Sequence, residues 1–369
     1  MSKTNFSTRL NSLDALRGFD MLWIIGADDF FHELARVTKI PFFTIISNQL
    51  DHASWNGFTA YDMIFPLFLF IAGVATPYSV AGALEKGISK NKLFQKILKR
   101  ALLLVLLGFI YNNGLVIAPL DKYRFPSVLG RIGIAYLFAN IIYLYSRKAF
   151  WLVWFVSLLI GYWLLLHFTS APGFAAGDLS MQGNFASYVD RLILPGSLYL
   201  KIHDPEGILS TIPAISTGLL GIMVGEFLRN SLLSPYKKAF YMVIVGIALI
   251  VIAQLWNIVF PINKNLWSSS FTLQAGGISL LLLSIFYFVI DVLGYKKWAL
   301  FFRVIGLNTI LIYMSGVFIN WNFTSNALLG WLSQLAGKPF DIAISIACII
   351  FVKWIFLFAL YKKKYFLRV

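Results

Sequence analysis

One cysteine, four histidines and sixteen acidic residues among 369 positions leave little material for several common kinds of site. A lone Cys348 excludes an intrachain disulfide and a cysteine-built metal site, and its place in the last apolar run makes it a packing residue. His32, His52, His167 and His203 are scattered without paired spacing, so no metal centre is expected. Charged residues form only 13% of the chain and hydrophobic residues 59%, at a mean hydropathy of +0.76, a balance that no single soluble core could absorb. The net charge of +15 comes without a basic stripe interleaved with base-stacking aromatics, which excludes nucleic acid as a partner. Fixed-period repeats and inverted duplications are also missing, and this weakens a transporter reading.

What the chain does have is long apolar runs from Leu16 to Leu360, continuous rather than alternating, which read as helices and not as barrel strands. The expectation is an all-α integral membrane protein, a polytopic bundle of about ten spans of roughly 20 residues each, forming one domain over 1–369. The spans fall near 15–33, 58–82, 95–115, 127–146, 149–168, 207–229, 238–259, 267–292, 300–319 and 340–361. The amino-terminal run follows basic residues as a signal peptide would. It carries Asp20 and lacks a small-residue cleavage site, so it is read as a retained helix. Most of the Lys and Arg residues, among them Lys3, Arg9, Lys96, Arg100 and Arg368, fall on one set of alternate connections, so both termini are expected to be cytoplasmic. His52, the long connection from Thr169 to Glu206 and the segment around Asn263 then share the opposite face. That face collects most of the acids, which suits a polar or amine-bearing substrate. A short interfacial helix is expected within Asn322 to Pro339.

DHASWNGFTAYD, Asp51 to Asp62, sets His52 and Trp55 where water meets hydrocarbon. Histidine, with an ordinary pKa of about 6.5, can take and return a proton near neutrality, and indoles commonly sit at this depth. Anchoring of the following helix is the alternative for His52. Asp28, two turns beyond the Arg17 to Asp20 step of the first helix, is placed to orient the imidazole. Arg17 and Asp20 are expected to form an ion pair. Asp204 and Glu206 in HDPEG either bind substrate or complement a helix start. Asn263 in NKNLWSSSF suits sugar hydroxyls or capping, and Asn308 with Tyr313 either bonds across helices or lines a cavity. Gly221 and Gly225, spaced as GxxxG, are expected to permit close helix packing, within one chain or across a homodimer.

Taken together, SLDALRGFDM, HASWNGFTAYDMIFPLFLFIAG, RFPSVLGRIGIAYL, DPEGILSTIPAISTGLLGIMVGEFL and NKNLWSSSF, in this order, resemble the catalytic domain of the heparan-alpha-glucosaminide N-acetyltransferase family and its bacterial relatives, within the transmembrane acyltransferases. The resemblance covers nearly the whole chain. It implies transfer of an acetyl group from cytoplasmic acetyl-CoA to an amino sugar of the glucosamine type across the bilayer, with a bacterial inner membrane as the location. The family's active-site histidine falls on His52. A second family position, asparagine in the lysosomal enzymes and histidine in the polysaccharide acyltransferases, falls on Asp28, where this chain departs from both. In this reading His52 and Asp28 are catalytic, and Trp55, Asp204, Glu206, Asn263 and Asn308 face the sugar. Arg17, Lys96, Arg100 and Arg131 meet the donor, with Arg131, Asn263 or Asn308 stabilising the oxyanion. An O-acyltransferase of envelope polysaccharide and a sugar or peptide permease are the alternatives.

Overall fold

The computed structural model describes residues 10–367. Lys3, Arg9 and Arg368, which entered the charge argument above, lie outside the described residues. Fifteen α-helices run through the described residues, and the only extended pairing among them is an isolated antiparallel bridge between Arg124 and Gly196. In chain order they are α1 (Asn11–Leu22), α2 (Asp28–Thr38), α3 (Pro41–Gln49), α4 (Ile64–Glu85), α5 (Lys90–Asn113), α6 (Val128–Tyr145), α7 (Trp151–Phe168), α8 (Phe185–Ile193), α9 (Thr211–Arg229), α10 (Pro235–Asn257), α11 (Ser269–Phe286), α12 (Leu300–Gly306), α13 (Thr309–Phe318), α14 (Trp321–Ala336) and α15 (Asp341–Lys362). Among the described residues seven helices are long and apolar enough to cross a membrane, and eight if α12 and α13, bent by 63°, count as one broken span. These match eight of the expected runs. The other two differ for local reasons. The run near 95–115 lies in α5, whose first half, KNKLFQKILKR, is too basic for hydrocarbon along its whole length. The run near 15–33 is broken at Gly26.

The chain divides into two compact units. One consists of Ala53–Phe58 and Phe65–Ser284 and contains α4 to α11. Its centre is the crossing of α4 and α9. A methyl group on Gly221 would lie 2.2 Å from the Phe70 carbonyl oxygen, and one on Gly225 would lie 2.3 Å from that of Val74. The GxxxG pair is therefore used inside one chain, where the missing side chains let two backbones touch. At the periphery, α10 shows Ile244, Ile247, Val251 and Leu255 at helical spacing, with Leu255 64% exposed. Such a stripe of large apolar side chains facing outward belongs against lipid rather than water.

The other unit consists of Leu10–His52, Thr59–Ile64 and the chain from Ile285 onward. The free amides at the start of α1 are satisfied from a distance, Ser12 N donating to Asp291 Oδ2 at 3.1 Å. Phe19 packs its ring against Phe286 and Phe302. Arg17 turns to Asp14, at 3.8 Å, where a pair with Asp20 was expected; Asp20 is buried instead. After Leu22 the helix loosens into a π-turn over Trp23–Ala27, and Gly26 takes φ 126°, ψ 6°, a conformation open to a residue without a Cβ. Lys353 of α15 donates from Nζ to the Ile25 carbonyl at 2.9 Å and so satisfies backbone freed by the break. Asn308, at the α12–α13 bend, holds the carboxy-terminal backbone through Tyr365 O (3.0 Å) and Leu367 N (2.9 Å). Its partners are the backbone of the chain after α15, where a bond across helices or a cavity lining was expected. A helix does stand in the stretch from Asn322 to Pro339, α14, longer than predicted, and Cys348 is buried as anticipated.

Candidate active site

Beyond α3 the chain runs without regular structure until Thr59, which opens a single 3-10 turn, Ala60–Met63. Thr59 and Asp62 form a capping box: the Thr59 hydroxyl accepts from the Asp62 backbone, and Thr59 N donates to Asp62 Oδ2 at 3.1 Å. Gln49 Oε1 accepts from Ala60 N at 3.2 Å and ties the turn to the end of α3. With Oδ2 engaged, the other oxygen of the fully buried Asp62 points at His52, 2.8 Å from Nδ1. A carboxylate can only accept, so Nδ1 carries the hydrogen and the lone pair is left on Nε2. The His52 side chain is 49% exposed.

Next to it the Tyr61 ring lies 4.8 Å from the imidazole, centroid to centroid, and the Tyr61 hydroxyl donates to Asp28 Oδ2 at 2.7 Å. The carboxylate hydrogen-bonded to His52 is therefore Asp62, and Asp28 holds the tyrosine beside it. Sequence reasoning missed Asp62 as the partner, although Thr59-x-x-Asp62 has capping-box spacing and fixes a carboxylate ten residues from the histidine. The signal was present but read as the start of a span.

The unit of Ala53–Phe58 and Phe65–Ser284 holds most of the remaining predicted residues. Trp55 Nε1 donates to Leu179 O at 3.0 Å, and its ring meets His203 edge-on, 5.2 Å away. His203 donates from Nε2 to Asn265 O at 3.1 Å and accepts at Nδ1 from the Ser187 hydroxyl at 2.7 Å. Burial lowers its pKa to about 4, so the ring is neutral. Asp204 and Glu206 are brought together on Arg124, whose fork reaches Asp204 at 2.9 and 2.7 Å and also donates to Glu206. Burial would raise the Asp204 pKa, but the bonds from Arg124 outweigh it and hold it down; for Glu206 burial prevails over Arg124 and pushes it up. Asp204 also accepts from Tyr199 N and Glu206 N, so its lone pairs are taken up in folding the connection. Asn263 joins Asn56, a residue not singled out from the sequence, at 3.1 Å, and caps Leu266 N at 2.8 Å. Arg131, 2% exposed, donates to Gly207 O at 3.0 Å and to the Ser210 hydroxyl, with Trp267 5.1 Å below the guanidinium. Arg100 lies over the Tyr136 ring at 4.6 Å, and Lys96 is exposed.

A family model described as heparan-alpha-glucosaminide N-acetyltransferase, catalytic, matches residues 9–246. The Homo sapiens protein named heparan-alpha-glucosaminide N-acetyltransferase is 29% identical over 365 residues, covering 83% of this chain and 52% of its own. The Mus musculus protein of the same name is 31% identical over 374 residues, covering 86% of this chain and 56% of its own. This chain spans about half the length of the curated relatives it matches. With the family model taking in well over half of its residues, the chain belongs to the heparan-alpha-glucosaminide N-acetyltransferase catalytic family.

Proposed function

We propose that this chain is a membrane acetyltransferase, one transmembrane domain that moves an acetyl group from cytoplasmic acetyl-CoA to an amino sugar of the glucosamine type on the far side of a bacterial inner membrane. The observation that carries the reading is the His52–Asp62 pair, an accessible imidazole whose tautomer is set by a buried carboxylate. Family membership supplies the acetyl chemistry, since the relatives are named as N-acetyltransferases.

His52 Nε2 accepts a proton from the amine as its nitrogen attacks the thioester carbonyl carbon, and Asp62 stabilises the imidazolium that forms. Collapse of the tetrahedral intermediate breaks the carbon–sulfur bond, and the thiolate of CoA takes the proton from His52. Only one bond of the donor needs to meet the sugar. The charged nucleotide of CoA stays at the basic cytoplasmic ends of the helices, where Arg17, Lys96 and Arg100 are offered as phosphate contacts. The reading keeps ten membrane crossings, with α5 and the broken α1–α2 run counted among them and both termini cytoplasmic.

The test uses the purified chain in liposomes with labelled acetyl-CoA on the side of the basic connections. Label should appear on glucosamine outside and not on N-acetylglucosamine, which lacks a free amine. Equal labelling of the two sugars would make the protein an O-acyltransferase. Counterflow of sugar without acetyl-CoA, and no labelling, would make it a permease.

A further inference from the structure

α6 and α7 leave a groove that the proposed chemistry does not use. It is an open cavity of about 750 Å³ with Phe138, Ile142 and Tyr145 on one wall, Val153 and Trp154 on the other, and Arg147 at one end. Its walls are apolar yet uncovered: Phe138 is 47% exposed, Tyr145 53% and Val153 55%. Both helices are of membrane-crossing length, so the surroundings of this groove are acyl chains and not water.

Its charged end is distinctive. The acids there are already matched, because Glu226 receives Lys148 at 3.3 Å and Arg229 at 3.8 Å, and Glu85 receives Arg229 at 2.8 Å. Besides the paired Lys148, Arg147 and Lys90, whose Nζ lies 5.9 Å from the Tyr145 ring centre, are exposed cations at this rim. Trp154, whose Nε1 donates to Ser146 Oγ at 3.2 Å, puts an indole at the same level, the pattern of a membrane–water boundary. Apolar walls that end in unmatched positive charge at the boundary fit a molecule with a hydrocarbon tail and an anionic head.

We infer that the groove between α6 and α7 is a binding site for an anionic phospholipid, one acyl chain lying along Phe138 and Val153 and the headgroup phosphate meeting Arg147 and Lys90. The site is independent of the acetyltransferase reading, since it needs only that α6 and α7 stand in a bilayer.

Native mass spectrometry of the full chain, exchanged into detergent with equal phosphatidylglycerol and phosphatidylcholine of identical acyl chains, tests it. Wild-type protein should retain phosphatidylglycerol in preference. Arg147→Ala should reduce that preference about fivefold, the usual worth of one basic side chain at a membrane surface, and Lys90→Ala should reduce it further. Val153→Trp, which fills the groove, should lower retention of both lipids at unchanged melting temperature. If that variant fails to fold, the exposed Arg147 and Lys90 substitutions still decide. Equal retention of both lipids by the wild type, or an undiminished preference in the Arg147→Ala, Lys90→Ala double variant, overturns the proposal. So does a dimer that Val153→Trp dissociates, which would give the groove to a second copy of the chain.

Discussion

His52 sets Nδ1 2.8 Å from a carboxylate and keeps about half of its side chain exposed, whereas His203 sets Nδ1 2.7 Å from a hydroxyl and Nε2 3.1 Å from a carbonyl and is buried. Both rings are held by fixed partners, so rigidity does not separate them. Partner chemistry does. A carboxylate stabilises the positive ring that exists after a proton has been taken, while a hydroxyl donor and a carbonyl acceptor together saturate a neutral ring and leave it nothing further to do. His203 closes a buried network; His52 pairs with a carboxylate and keeps half of its side chain at the surface.

The sharpest way to break this contrast is substitution of the two histidines. His52→Ala should lower acetyl transfer to glucosamine by about 10³-fold, within the range for a lost general base, with the melting temperature unchanged. His203→Gln should retain most of the activity per folded molecule. A loss in His203→Gln as deep as that in His52→Ala would put the chemistry at the other ring. Asp62→Asn comes next. It keeps the size of the side chain but removes the charge that fixes the His52 tautomer, and kcat should fall by roughly 10²-fold or more with little change in KM, as expected for a positioning carboxylate. A change confined to KM would instead assign Asp62 to substrate binding. Tyr61→Phe, which removes the hydroxyl held by Asp28, should cost a few-fold in kcat, in line with about 1 kcal/mol for one hydrogen bond; Asp28→Asn should match it if the two act as a unit.

Helical class and membrane-spanning runs were legible because apolar length survives without knowledge of neighbours: α4, α6, α7, α9, α10, α11 and α15 stand where hydropathy puts them. His52 was legible from motif and depth. Its partner was not, because Asp28 and Asp62 are both acids near the same level and only the hydrogen bonds of Thr59 show which carboxylate is turned to the ring. The partners of Asp204 and Asn308 were hidden for a related reason. A polar residue in an apolar chain does not announce what it bonds to, and the fold gives Asp204 to Arg124 and two amides, and Asn308 to the tail backbone. The break at Gly26 was hidden because one glycine in an apolar run is compatible with a straight helix until Lys353, far along the chain, takes up the released carbonyl.

The smallest expected effect is on stability and sharpens the same comparison from the His203 side. Burial lowers His203 from 6.5 to about 4, so between those values the unfolded chain binds a proton that the folded one refuses; its contribution is complete above pH 6.5 and is lost as pH falls. Asp190 in α8 has the opposite sign. Burial, partly offset by the Ile208 amide and Arg131, raises it from 3.8 to about 6, so its contribution is complete below pH 3.8 and is lost as pH rises through 6. Across about pH 4 to 6 the two slopes oppose each other in the wild type. Asp204 and Glu206 titrate in the same network and Asp204 acts on both groups, so the comparison is read from the sign of each difference. His203→Gln should therefore gain stability relative to wild type as pH falls from 6 to 4, and Asp190→Asn, whose amide oxygen can still accept from Ile208 N, should lose it. Melting temperatures across that range check both signs. Parallel curves for wild type and His203→Gln would mean that the ring is already charged when folded, and the distinction drawn between the two histidines would no longer hold.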